Sequence, residues 1–325
     1  MPYGEVVELA LYHHEHGFYA SGGRAGRRGD FLTSPEVGPL FGHVVANAID
    51  TEWDRLGQPD EFTVVDWGAG PGTLLRTVLR AEPRCGAALR CVAVERSASQ
   101  RALHDETVES LETLLPGQFA GGAGVIVANE LLDNFAFTPI SIVDGIVVPA
   151  SVEQSTSGDL VVTYDEIGHA TEIDPGLFSP DSYTAIWQPV AADWLNTALG
   201  VFGSGRVICI DYMRTSSDAV EIRTFAEHVA AGDPLVNLGT KDITVDVDLS
   251  QLQNAVRPAD TRCTQAEWLE RHGIDELVED GRRTWESTAT QGTLEAMWAR
   301  SRVRECEALM ERPGLGGFTV AEWVI

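Results

Sequence analysis

The sequence is poor in positive charge. Its 325 residues hold 23 lysines and arginines against 49 acids, a formal charge of −26, and Lys241 is the only lysine. A surface so short of cations lacks the clusters that grip a phosphate backbone, which excludes nucleic acid as an expected partner. It would instead attract a basic one. Long apolar runs are also missing: none reaches the ~18 residues a membrane-spanning helix needs, so no membrane association is expected. The first twenty residues, MPYGEVVELALYHHEHGFYA, carry acids and histidines where a secretory signal would carry basic and then apolar residues. The cytoplasm is the expected location. The five cysteines (Cys85, Cys91, Cys209, Cys263 and Cys306) are scattered and form no C-x-x-C pair, which argues against a disulfide framework and a cysteine zinc site. The histidines of HHEH (His13 to His16) lack the H-E-x-x-H spacing that puts two ligands on one helical face, so no metal is expected. RAGRR (Arg24 to Arg28) reads as a solvated loop.

What remains is an ordinary globular composition, with 44% hydrophobic and 22% charged residues. The length suits one large domain with insertions, or two domains. Residues 34 to 56 read as one helix, with Ser34 as N-cap, Pro35 in the first turn and Glu36 at the positive end of the dipole. An apolar stripe from Leu40 to Leu56 follows at helical spacing. Strands are expected at 63–67, 89–95, 124–130 and 205–212, the last two continuously apolar as strands buried on both faces must be. A helix should start near Thr73, and a polar one should span 97–115. Strands alternating with helices imply a doubly wound, mostly parallel α/β sheet. Residues 1–60 read as an N-terminal helical or lid segment, with the main domain at 61–139 and 187–325. Residues 140–186 look like an inserted β-rich element with turns at Asp144-Gly145 and Ser157-Gly158. The stretch 213–290 reads as a further insertion with helices, and GLGGFTVAEWVI as a turn into a last sheet strand.

The most informative stretch is FTVVDWGAGPGTLLRTVLR, Phe62 to Arg80. Asp66 ends a strand, and Gly68, Gly70 and Gly72 follow at alternate positions before a helix. Such a turn lets the backbone approach a ligand closely, and it can hold a phosphate, a dinucleotide or the methionine end of S-adenosylmethionine. The dinucleotide fingerprint is spaced G-x-G-x-x-G. Here the spacing is G-x-G-x-G, with an acid two residues earlier that would repel a pyrophosphate but attract a positive amino group. Glu95, at the end of the second strand, can accept hydrogen bonds from both ribose hydroxyls, a feature that suits NAD as well. S-adenosylmethionine is the expected cofactor. The candidate cofactor residues are Asp66, Gly68, Ala69, Gly70, Gly72, Thr73, Leu74 and Glu95, with Asn129, Ser34 and Glu36.

The motifs GRRGDFLTSPEVGPLFG (Gly26 to Gly42), DWGAGPGTL (Asp66 to Leu74), VAVERS (Val92 to Ser97), ANELLD (Ala128 to Asp133) and VICIDY (Val207 to Tyr212) occur in this order. ALYHHEHGFYASG, KDITVDVDL and TQAEWLERHGI accompany them. Together they resemble the MidA/NDUFAF7-like family of S-adenosylmethionine-dependent methyltransferases, once catalogued as an uncharacterised domain. The resemblance implies a class I methyltransferase fold with insertions. Its mitochondrial branch implies methylation of an arginine on a respiratory complex I subunit during assembly. The sequence departs from the family on the acceptor side. I-D-Y-G becomes Ile210-Asp211-Tyr212-Met213, T-L-R-x-Y is reduced to EIRTFAEH, and A-L-P after N-E-x-x-D becomes Asn134-Phe135-Ala136.

If the acceptor is a guanidinium, its pKa above ~12 keeps it cationic, and carboxylates must hold it and take a proton. Candidates are Glu130 and Asp133 after the third strand, Asp211 after the fourth, and Asp30 from the N-terminal segment. Each has a plainer role available. Glu36 could serve only the helix dipole, and Asp30 and Ser34 could only cap turns and helices. Asn129, Glu130 and Asp133 could only cap a helix. Three readings follow: a methyltransferase acting on a basic, arginine-containing protein segment, one acting on a small molecule, and a non-catalytic assembly or binding protein that keeps the fold.

Overall fold

A computed structural model describes residues 1–20, 33–144, 146–164, 173–178, 184–214, 221–226, 229–230, 232–289 and 293–325. Asp30, Gly145, the arginines of RAGRR and the whole of GRRGDF lie outside the described residues.

Seven strands form the main sheet: β1 (Phe62–Trp67), β2 (Leu89–Val94), β3 (Glu109–Leu111), β4 (Phe119–Asn129), β9 (Phe202–Asp211), β15 (Thr261–Thr264) and β16 (Thr319–Val324). A second sheet holds β5 (Thr138–Val143), β6 (Ile146–Gln154), β7 (Leu160–Tyr164) and β8 (Thr184–Trp187). The short strands β10 (Met213–Arg214), β11 (Ile222–Ala226), β12 (Val229–Ala230), β13 (Asp242–Val245) and β14 (Val247–Asp248) make two small sheets. The helices are α1 (Tyr3–Tyr12), α2 (Ser34–Val37), α3 (Pro39–Arg55), α4 (Thr73–Arg80), α5 (Ala98–Arg101), α6 (Pro189–Leu199), α7 (Leu249–Ala255), α8 (Gln265–Arg271), α9 (Ile274–Thr288) and α10 (Leu294–Met310). None of these helices is long and apolar enough to cross a membrane.

The main sheet runs β3-β2-β1-β4-β9-β16-β15. The first five strands are parallel, and β16 slots between β9 and β15 antiparallel to both. Alternation along each central strand divides the core. Val64, Val125, Val127, Ile208 and Ile210 pack beneath α3, α4 and α8 to α10. Val65, Ile126, Ala128, Val207 and Cys209 pack against α6 and α7 on the other face. Both faces are covered, as a parallel sheet requires. The strand order turns back at β1, so a crevice opens at the carboxyl ends of β1 and β4, where open α/β sheets take their ligands.

The N-terminal helix α1 is only ten residues long and would be marginal alone. It is held by burying Tyr3, Val6, Val7, Ala10 and Leu11 against Phe137, Ala150, Val152 and Val245. At roughly 1.5–3 kcal/mol per large buried apolar side chain, that docking outweighs its weak intrinsic helicity.

Three local expectations differ from the structure. The helix expected over 34–56 is broken at Gly38, because Pro39 disfavours a helical conformation in the residue before it. Thr33, not Ser34, is the N-cap, and the Ser34 hydroxyl donates instead to Gln265 Oε1 at 2.9 Å. The polar helix expected over 97–115 stops after α5. There the Asp105 carboxylate accepts both the N–H and the hydroxyl of Thr107, at 2.9 and 2.8 Å, a local turn that competes with helix. The stretch 213–290 contains strands as well as helices, and β15 within it is an edge strand of the main sheet.

Candidate functional site

A cleft of about 1040 Å³, open to solvent, lies over the carboxyl ends of β1, β2 and β4. Its wall includes Asp66, Gly68, Ala69, Gly70, Thr73, Leu74, Glu95, Asn129, Glu130 and Glu36. Gly72 caps α4 behind the loop. Ser34 is fully buried beside Gln265, yet its N–H donates to Glu130 Oε1 at 3.2 Å.

The glycine loop supplies shape rather than donors. The amides of Gly68 and Ala69 donate to Val94 O at 2.8 and 3.0 Å, and Gly72 N–H donates to Ala69 O at 2.8 Å. Gly70 N–H donates to Glu95 Oε2 at 3.0 Å, while Ser97 N–H holds Glu95 Oε1 at 2.7 Å. With those loop amides committed inside the protein, a pyrophosphate finds no cradle in them. Gly70 has φ +51, and a Cβ built on it would meet nothing within 4 Å, so its bare α-carbon faces open cleft.

Asp66 is only 4% exposed, and its Oδ2 has no hydrogen-bond partner among the described residues. Burial first, and then the charge of Glu95, push its carboxyl up to about 7. A buried carboxyl with an unpaired oxygen is a vacancy for a donor, preferably a cationic one. These residues fit S-adenosylmethionine. Asp66 would take the ammonium end, Gly70 would leave room for the methionine chain, and Glu95 would accept from the ribose. When bound, the cofactor would supply an electrophilic methyl group.

The other end of the cleft is acidic. Glu130 sits at φ +51, an uncommon backbone state for a residue with a side chain, costing about 1–3 kcal/mol. Its N–H is tied to Ile210 O at 2.8 Å, and its Oε1 accepts from Ser34 N–H and from Asn129 Nδ2 at 3.0 Å. Burial, then the neighbouring Asp133, push Glu130 up to about 8. Asn129 Oδ1 is buried without a partner among the described residues. Asp133 does not line the cleft. Its Oδ2 accepts from the Thr244 hydroxyl at 2.7 Å, and burial pushes it up to about 6. Asp211 is fully buried and accepts the N–H groups of Leu131, Leu132 and Tyr212 at 3.2, 2.9 and 2.8 Å. It therefore shapes the loop that carries Glu130, with its own carboxyl raised well above the usual range by burial.

Several wall residues escaped sequence reasoning. Tyr12 and Tyr19, stacked at 5.4 Å, reach the cleft from the N-terminal segment, and both hydroxyls are held by Asn134, at its carbonyl (3.2 Å) and its Oδ1 (3.0 Å). Asn134 Nδ2 donates in turn to Asp242 Oδ1 at 3.0 Å, and burial raises Asp242 to about 7. Gln100, Arg96 and Glu112 complete the side nearest Glu95. The available signal was the motif ALYHHEHGFYASG, which contains both tyrosines but has no periodicity to show where they point.

Comparison with known proteins agrees with this geometry. The chain is 24% identical over 296 residues to the "Protein arginine methyltransferase NDUFAF7 homolog, mitochondrial" of Drosophila melanogaster, covering 78% of this chain and 66% of that protein. It is 26% identical to the Rattus norvegicus protein arginine methyltransferase NDUFAF7 over 77% of this chain and 64% of that protein. The chain thus spans slightly less than two thirds of these relatives. A crystal structure from Burkholderia thailandensis, bound to S-adenosyl-homocysteine, superposes with a TM-score of 0.80 at 24% identity, over 99% of this chain and 87% of that one. The fold is therefore that of a class I methyltransferase. The family model described as "Putative S-adenosyl-L-methionine-dependent methyltransferase" matches residues 44–266, so the chain belongs to this family of S-adenosyl-L-methionine-dependent methyltransferases.

Proposed function

We propose that the protein transfers a methyl group from S-adenosylmethionine to an arginine side chain of a protein substrate. One observation carries the acceptor class: Glu130 is held in a strained backbone at the cleft, with its Oε2 free of hydrogen bonds among the described residues. The two relatives named above, protein arginine methyltransferases by name, support the same class.

With no cation beside it, burial favours the protonated form of Glu130. An arriving guanidinium reverses that balance, because an opposite charge nearby favours the carboxylate. The ionised Glu130 then orients the guanidinium by accepting, at Oε2, an N–H of the attacking nitrogen. As the new C–N bond forms and the C–S bond breaks with its electron pair passing to sulfur, one proton leaves the attacking nitrogen. Glu130 accepts it. Ser34 N–H and Asn129 fix the carboxyl from behind, so most of the rate comes from alignment.

The test is transfer of labelled methyl groups into lysate of a strain lacking this protein. Products would be separated by size and the protein fraction hydrolysed. Label recovered as methylarginine is expected. Label confined to small molecules would replace the protein acceptor with a metabolite.

A further inference from the structure

We propose that His104 is a positioning residue for the cofactor, bracing the glycine loop from outside the cleft. The first half of the loop is tied to β2 through the Val94 carbonyl. Its apex, Gly70, is held by two side chains: Glu95 accepts its N–H, and His104 Nε2 lies 2.8 Å from its carbonyl oxygen. A carbonyl only accepts, so Nε2 carries the proton. Nδ1 is then an acceptor, and Ser110 Oγ lies 2.8 Å from it as the donor. Ser110 belongs to β3, paired in register with Ala93 of β2. The chain from Ser110 through His104 to Gly70 therefore connects the loop apex to the sheet edge. The ring also packs against the loop's end, since a Cβ on Gly72 would stand 3.2 Å from His104 Cδ2.

The brace matters because Glu95 has two claimants. The ribose hydroxyls of a bound cofactor would share the two carboxylate oxygens that already accept from Gly70 and Ser97. Sharing an acceptor weakens each bond to it, and His104 holds the Gly70 peptide independently at its carbonyl. Arg76 also holds a loop carbonyl, that of Pro71 at 2.7 Å, but it stands on α4 and moves with the loop. The inference rests on the reading that this cleft takes S-adenosylmethionine.

The experiment is calorimetric titration of S-adenosyl-homocysteine into the wild-type protein and into His104→Ala, His104→Gln and Ser110→Ala. One lost hydrogen bond to the loop predicts about tenfold weaker binding for His104→Ala. His104→Gln, whose amide can donate to the same carbonyl, should recover to within about threefold of wild type. Ser110→Ala should fall between the two. Hydrogen exchange at the Gly70 and Gly72 amides should quicken in His104→Ala and recover in His104→Gln, a pattern that mere loss of edge packing would not produce. Wild-type-like affinity in His104→Ala, or a glutamine variant no better than alanine, would overturn the brace while leaving the cofactor assignment standing. Absence of binding to the wild type would overturn both.

Discussion

The two ends of the cleft are built in opposite ways. At the cofactor end, Asp66 and the three glycines lie within seven consecutive residues, and the loop amides named above are satisfied close by. At the acceptor end, Glu130, Asp133, Asp211 and Asp242 are gathered from distant segments. Asp133 is held by Thr244, Asn134 by Asp242, and Glu130 by Ser34. The cofactor end has one acid in want of a cation. The other end crowds acids whose carboxyls burial raises, Glu130 furthest into the neutral range among those that face the cleft. A sulfonium ligand needs a shaped backbone and a single countercharge. A guanidinium needs a carboxyl whose charge can appear on demand.

The sharpest way to break this comparison is at Gly70. Valine there would face a left-handed backbone that β-branched residues rarely adopt, and would fill the open space above the loop. S-adenosyl-homocysteine binding should fall below detection in a calorimeter while circular dichroism stays native. A folded variant that binds normally would move the cofactor elsewhere. Next in size is Glu130→Gln. It keeps shape and removes charge, so cofactor affinity should hold while single-turnover methyl transfer drops at least ~100-fold. Loss of cofactor affinity instead would place Glu130 at the donor end.

The same contrast explains what could be read from the sequence. The parallel strands and the glycine loop were legible because alternation, glycine spacing and a terminal acid are local signals. The acceptor end was legible only as candidates. Whether Asp133 faces the cleft depends on Thr244, 111 residues away, and Asp211 proved to organise a loop. The left-handed backbone of Glu130 has no sequence signature, since glutamate does not favour it. The roles of Tyr12 and Tyr19 depend on Asn134, 122 and 115 residues away. Gly38 and Pro39 did signal the break after α2, but Ser34, Pro35 and Glu36 read as the start of the helix whose stripe begins at Leu40.

A third prediction concerns pH at the cofactor end. Asp66 has its folded pKa raised to about 7, well above the ordinary value near 4. Pairing with the ligand's ammonium needs the carboxylate, so below pH 7 binding must expel a proton. Affinity for S-adenosyl-homocysteine should weaken by up to about tenfold per pH unit below 7 and level off above it. Calorimetry in buffers of different ionisation enthalpy would show release approaching one proton near pH 6 and falling away near pH 8. Asp66→Asn should abolish the release. If release persists in that variant, the titrating partner lies elsewhere in the cleft.

The smallest effect sharpens the acceptor end from within. Asp133→Asn keeps the contact with Thr244 and leaves the cleft wall unchanged, so maximal transfer should change by less than about tenfold, below the ~100-fold or more that positioned acid–base groups contribute. The negative charge of Asp133 is one of the two causes that raise Glu130. Removing it lets Glu130 ionise more readily, and the sign is definite: the midpoint at which transfer rises with pH should move to lower pH. Single-turnover rates measured across about pH 5 to 9 would show this as a displaced limb with a similar plateau. A plateau as low as that of Glu130→Gln would mean that Asp133 shares the proton-accepting role. The acceptor end would then be a coupled pair of carboxyls rather than one carboxyl tuned by its neighbour.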